Sequence, residues 1–307
     1  MKSVIDVTIC GIVSENDLEK ASYVKDGVTN NCIRGTLKIR VEQALYSADE
    51  DPTVLEIPVS VFQPEFKKDK TPNKIYASLN EVIDKIQSIA SVGIEKATWV
   101  NISGARLEMN EYYKGDALVS FPRVTASFIN IITPNKDTKM TAKFSIAPMY
   151  VQSISEEIKN DEPTGRLVVK GILIKYDESA DVMDFVVAND KAIAFIQDNW
   201  TPGSTVDTMG VLNFSSITET KEIEGAGFGD ETMYTTRTRN VSELVLRAGW
   251  PPKDGDYEFS DAEILRGGEL RKARLAKLKS QAETKTNASA NTTSSKGKGI
   301  DLASLGF

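Results

Sequence analysis

Two stretches of this chain run through the same order of elements, and that repeat narrows the folds open to it. The first begins with three strand patterns. Val4 to Val13 is β-branched and mostly apolar. Ile33 to Val41 alternates strictly, with Ile33, Leu37, Ile39 and Val41 facing one way and Arg34, Thr36, Lys38 and Arg40 the other. Val54 to Phe62 follows, and its Pro58 predicts an edge or a bulge. The period then becomes helical through Tyr76, Leu79, Val82, Ile83, Ile86, Ile89 and Ala90, with Gly93 as the stop. Strands over Ala97 to Leu107 and Ala117 to Ile132 complete the unit, around a turn at Lys114-Gly115-Asp116. The polar segment Thr133 to Thr141 reads as a loop.

After an extended run over Ala142 to Ile154, a second unit takes up the order. Glu156 to Gly165 is acidic and turn-rich, a linker or an early loop of that unit. Strands are expected over Arg166 to Tyr176 and Asp181 to Ala188, then a short helix over Asp190 to Trp200. A strand over Ser204 to Phe214, a Gly-rich excursion over Lys221 to Thr232 and a last strand over Thr235 to Arg247 follow. Gly93 matches Gly203, Val100 matches Val206 and Gly104 matches Gly210. Short strands around one helix, with the helix before the final hairpin, describe an OB-fold, a five-stranded Greek-key barrel. The expected fold is therefore all-β, with two OB-fold-like units over residues 1–140 and 141–258. An amphipathic basic helix is expected over 259–282, and a disordered tail with an apolar tip over 283–307.

The helix opens on the capping-box pattern Ser260-Asp261-Ala262-Glu263 and is expected to end near Gln281, with an interruption at Gly267-Gly268. Leu270, Leu275 and Leu278 lie on one side, with Arg271, Lys272, Arg274, Lys277 and Lys279 around them. Thr284 to Gly299 has no apolar anchor to offset its ordering entropy.

Composition removes several chemistries. The 307 residues include no His, so no Ser-His-Asp or Cys-His relay and no His-ligated metal is available. The two cysteines, Cys10 and Cys32, cannot make a four-cysteine zinc site and read as buried thiols of a reducing compartment. Asp181 and Asp184 are three apart, which in a strand puts them on opposite faces, poor geometry for two-metal chemistry. Glu219, Glu222 and Glu224 read as solvated loop charge, and the run Gly225 to Gly229 lacks the helix and Lys of a phosphate loop. The expectation is a non-enzyme without cofactor or metal. No apolar run is long enough to span a membrane, and the start of the chain lacks a signal-peptide pattern, so the expected location is cytoplasmic, host cytoplasm if the chain is viral. The net charge of −7 argues against coating duplex DNA by bulk charge but allows basic residues along one groove.

Within this frame Gly93 to Asn130, GIEKATWVNISGARLEMNEYYKGDALVSFPRVTASFIN, resembles the second half of bacterial and phage single-stranded-DNA-binding proteins. The shared features are a helix, a Gly, a V-x-x-x-G strand, an aromatic hairpin and a final strand. Ser204 to Arg247 repeats them less closely. The resemblance implies a phage-type single-stranded-DNA-binding protein of replication and recombination, with tandem OB-folds and a disordered C-terminal tail. At ~4–16 nucleotides per OB-fold, two sites would cover roughly 8–32.

Such binding needs cations for phosphates and aromatics for bases. In the first unit the candidates are Arg34, Lys38 and Arg40 as a phosphate track, Tyr112 and Tyr113 at a hairpin tip beside Lys114, Arg106 and Arg123 on its flanking strands, and Phe121 on the face of Arg123. In the second they are Lys170, Tyr234, Arg237, Arg239 and, inside the Gly-rich loop, Phe228. Trp99, Phe195 and Trp200 read as core. In the bacterial family the tail ends in an acidic, Phe-terminated tip that recruits replication and repair proteins. Asp301, Leu302, Leu305 and Phe307 resemble it in form, although Asp301 is the only acidic residue there. Two other classes fit the same sequence: a β-rich viral assembly or protein-interaction module, and a carboxylate-dependent nuclease or annealing factor built on Asp181 and Asp184.

Overall fold

The computed structural model describes residues 1–25, 27–223 and 233–292, with side chains left undescribed over 216–223, 233–234, 237–240 and 285–292. Strands dominate. They are β1 (Val4–Asn16), β2 (Glu19–Lys25), β3 (Val28–Gln43), β4 (Thr53–Pro64), β5 (Trp99–Lys114), β6 (Ala117–Ala126) and β7 (Asn130–Ile132), then β8 (Thr141–Lys159), β9 (Glu162–Ile174), β10 (Ala180–Val187), β11 (Thr205–Ile223) and β12 (Met233–Gly249). The helices are α1 (Lys74–Val82), α2 (Ile89–Val92), α3 (Asp190–Asn199) and α4 (Asp261–Thr292).

Two closed cycles emerge from the pairing. In the first, β1 pairs with β3, β3 with β4, β4 with β6, β6 with β5, and β5 returns to β1. In the second, β8, β9, β10, β12 and β11 close in the same order. Each cycle has one parallel step, β4–β6 and β10–β12. Helices fall between the third and fourth strand of each cycle, as an OB-fold requires. The first strands of the two barrels pair antiparallel from Val4–Ala147 to Cys10–Thr141, which joins both cycles into one twelve-stranded sheet. Val100 lies opposite Gly11 on the first strand of its barrel, and Val206 lies opposite Met149 on the first strand of the other.

The alternation of Ile33 to Val41 is realised: Ile33, Leu37, Ile39 and Val41 are fully buried, and Arg34, Thr36, Lys38 and Arg40 face outward. The partner strand β4 alternates the same way, burying Leu55, Ile57, Val59 and Val61. Gly93 ends α2 at φ 79° and Gly203 follows α3 at φ 100°, as the matched positions require. The other matched glycines differ: Gly104 takes φ 68° at a bulge, whereas a Cβ on Gly210 would sit 2.4 Å from Phe144 Cζ. Trp200 is buried and donates Nε1–H to the Trp250 carbonyl at 2.9 Å, and Phe195 packs on the core. Trp99 is only half-buried. Both cysteines are buried free thiols.

Several expectations need correction. The helix of the first unit is not continuous. Ile86 turns extended, Gln87 N–H donates to Thr98 Oγ1 at 2.8 Å, and Ser88 with Ser91 forms a fresh capping box for α2. Side-chain and cross-chain partners thus capture the backbone that periodicity assigned to one helix. Pro58 sits neither on an edge strand nor at a bulge: β4 is interior, but β6 pairs with it only from Val59 onward, so the missing N–H falls where that flank is open. Of the two readings of Glu156 to Gly165, the early loop of the second unit is nearer than the linker: the segment forms the tip of the β8–β9 hairpin, turned at Asn160 and Asp161 with φ 53° and 64°.

The expected capping box opens α4, with Ser260 N–H donating to Glu263 Oε2 at 3.0 Å. The helix then runs unbroken through Gly267-Gly268 to Thr292, past Gln281 and into the segment read as disordered. A Cβ on Gly267 would lie 2.6 Å from Ile174 Cδ1, so this glycine sets close docking and not a break. The packed face is not the apolar stripe alone, of which Leu275 and Leu278 are half-buried. Leu270 is exposed, while Arg271 and Arg274 turn inward onto Glu111 of β5, and Arg274 reaches Asp181 of β10 at 3.1 Å. Both acids have side chains only 1% exposed, so α4 straps the two barrels together through buried charge.

Candidate nucleic-acid interface

A concavity of about 1020 Å³ lies on the outward face of β3 and β4, the face that OB-folds use for oligonucleotides. Its floor comes from register: Arg34 opposes Phe62, Thr36 opposes Ser60, Lys38 opposes Pro58 and Arg40 opposes Glu56. The β5–β6 hairpin supplies one wall with Asn110, Phe121, Pro122 and Arg123, and Ile89 and Ala90 of α2 close another side. The second barrel supplies the rest: β11 lies against β4, bringing in Phe214 and Ser215, with Val241 and Ser242 from β12.

Of the sequence-derived candidates, Lys38, Arg40, Phe121 and Arg123 come together here. Tyr112 joins them at the wall, its ring edge-on to Phe121 with centroids 6.4 Å apart at 86°. Both rings are about 40% exposed, at 43% and 39%, which leaves π-surface open to a ligand. Tyr113 is half-buried on the alternate face of the same strand, and Lys114 is exposed at the hairpin end. Arg106 is exposed on β5 opposite Thr125, outside the groove lining. Arg34 continues the floor beyond it. There a second aromatic pair stands, Tyr23 of β2 and Phe62 of β4, with centroids 5.6 Å apart. Phe62 is 54% exposed.

Among the described residues, the second barrel does not gather its candidates in one groove. Lys170 stands on β9 beside Asp184 of β10, 3.8 Å away. Tyr234, Arg237 and Arg239 lie on β12 at register positions opposite Glu222, Glu219 and Ile217. Phe228, Asp301, Leu302, Leu305 and Phe307 fall outside the described residues, as do most of the Gly-rich excursion and the tail tip.

Electrostatically the groove is balanced. Lys38 pairs with Glu15 at 2.6 Å, Arg40 with Glu42 at 2.8 Å and Arg123 with Glu108 at 2.5 Å. Arg34 pairs with Glu19 at 2.8 Å. Hydrogen bonds to these carboxylates hold Lys38 and Arg34 above their ordinary values. Glu56 adds a carboxylate to the floor and accepts a hydrogen bond from Ser14 Oγ.

Sequence reasoning missed Phe62, Ser60 and Tyr23, although the alternation of β4 was there to place the first two on the face of Arg34. No local signal points to Phe214, Ser215, Val241 or Ser242, which depend on how the barrels meet. The nuclease pair separates as spacing required. Asp181 is buried against Lys175 and Arg274, and Asp184 is exposed. No group of three or more metal-ligating side chains occurs among the described residues. No described helix is long and apolar enough to cross a membrane.

A search of curated proteins finds no match. Among solved structures, the chain is similar to the wild-type single-stranded DNA binding protein from Thermus aquaticus, with a TM-score of 0.52 and 11% identity, covering 85% of this chain and 99% of that one. A deletion mutant of the same Thermus aquaticus protein scores 0.49 at 12% identity, covering 85% of this chain and 98% of that one. At this identity the first likeness is one of fold, and it agrees with the two OB-type cycles read from the strand pairing. A family model described as YorF matches residues 5–281, nearly the whole described chain, and the protein therefore belongs to the YorF family.

Proposed function

We propose that this protein binds single-stranded DNA along the β3–β4 groove. The observation that carries the reading is the convergence of Lys38, Arg40, Phe121 and Arg123, chosen from sequence for this chemistry, in one groove on the oligonucleotide face of an OB-type barrel. Phosphates would run along Lys38 and Arg40, and bases would stack on Tyr112 and Phe121. The fold of the Thermus aquaticus protein supports the same class of ligand. The second barrel contributes the far wall of the groove, and Tyr234, Arg237 and Arg239 of β12 would extend the path beyond it. We assign the protein a non-enzymatic role in phage-type DNA replication or recombination, with the tail around Phe307 recruiting a protein partner.

The test is fluorescence anisotropy of a labelled ~30-nucleotide oligo-dT, long enough to fill two OB sites. Wild type should bind it more tightly than duplex of equal length. Phe121→Ala and Tyr112→Ala should each weaken binding by about 1–3 kcal/mol, the worth of one base on an aromatic ring. Full affinity in the Phe121→Ala, Tyr112→Ala double variant would sink the groove assignment.

A further inference from the structure

Among the described residues, all three cations that line the groove are already engaged by carboxylates. Glu15 holds Lys38, Glu42 holds Arg40 and Glu108 holds Arg123, and Glu56 sits opposite Arg40 in the sheet register. The exposed Arg34 beyond them is held by Glu19 in the same way. A groove built to attract polyanions by charge would leave these cations open.

Resting on the single-strand reading above, we propose that Glu15, Glu42 and Glu108 are specificity-determining residues that make the groove select single strands over duplex by masking its cations. The physical logic is a subtraction. Duplex offers a rigid rail of phosphates, and its non-specific binding is almost wholly electrostatic. A single strand offers phosphates and unstacked bases. Carboxylates within 3 Å of each cation weaken the phosphate contribution for both ligands. The Tyr112–Phe121 and Tyr23–Phe62 rings, exposed beside those cations, still serve the ligand whose bases are free. What remains favours the single strand.

The experiment measures affinity for labelled ~30-nucleotide oligo-dT and for duplex of equal length across a salt series, in the full chain and in a Glu15→Gln, Glu108→Gln variant. Both side chains are more than one-third exposed, at 48% and 37%, so the substitutions leave the core untouched. Wild type should show a salt slope well below the ~0.7 units per neutralised phosphate that open cations give on a single strand. The variant should bind the single strand about two- to tenfold more tightly, gain more than that on duplex, and steepen both slopes, so the preference narrows. If wild type prefers the single strand and the variant keeps its preference and slope, the masking role is overturned while the groove reading stands. If wild type binds no single strand at low salt, the groove reading falls and the inference with it. Should the double variant melt early, Glu42→Gln, on a side chain 41% exposed, carries the same comparison at Arg40.

Discussion

Arg166 separates the two jobs that a cation performs in this protein. It shares a strand face with Lys170, yet it is held by Glu157 at 2.7 Å and Glu243 at 3.1 Å, and its guanidinium lies 5.9 Å from the Tyr46 ring of the first barrel. Its hydrogen bonds lower the Glu157 carboxyl from 4.5 to about 2 and raise Arg166 itself. Burial pushes Glu243 up, and the bonds and charge of Arg166 outweigh it. Because the folded pKa of Glu157 is depressed, its contribution is full above about pH 4.5 and is lost as pH falls toward 2. Discounted for solvent screening, it is on the order of 2 kcal/mol. Denaturation of wild type and Glu157→Gln across that window should show a stability gap that closes with acid; a constant gap would contradict the assignment. By contrast, Lys38, Arg40 and Arg123 face a groove and pair with half-exposed carboxylates. Residue type and alternation put Lys38 and Arg40 on a common face. Neither reveals that Lys38 meets Glu15, which reaches it across strands, whereas Glu42 lies only two residues along the strand from Arg40.

Among the elements, α4 departs most from its sequence pattern. Its leucines suggested an apolar side with a basic surround, but the docked contacts include Gly267, Arg271 and Arg274, with Ile264 on the apolar cluster of Ile174, Ala180 and Phe259. Buried Glu111 and Asp181, from strands of different barrels, reverse the usual preference by supplying charge for the arginines to meet. The two glycines should therefore behave oppositely on substitution. Gly267→Ala forces a Cβ against Ile174 and should destabilise by about 1–3 kcal/mol. Gly268 has open space, so Gly268→Ala should stabilise by about 0.5–1 kcal/mol through helix propensity. Equal effects in chemical denaturation would refute this docking. The broken helix of the first unit shows the same thing: Tyr76 to Ala90 keeps helical spacing, yet Thr98 Oγ1 accepts from Gln87 N–H and Ser91 Oγ from Ser88 N–H, and the first of these partners is placed by the chain entering β5.

At the scale of the molecule, barrel order and interior faces were legible because strand alternation and the position of one helix leave few alternatives. The way the barrels meet was not. It depends on the β1–β8 seam, where Val7 faces Phe144, and on β11 lying against β4, and neither leaves a local mark in the sequence. The groove lies partly across that junction, which is why sequence found Lys38, Arg40, Phe121 and Arg123 but not Phe214 or Ser242. The most direct test of the central claim is ultraviolet cross-linking of oligo-dT to the full chain, with the attached peptides mapped by mass spectrometry. Adducts are expected on the β5–β6 hairpin around Tyr112 and Phe121 and on the β3–β4 floor around Phe62. Robust binding with adducts confined to surfaces away from this groove would contradict it.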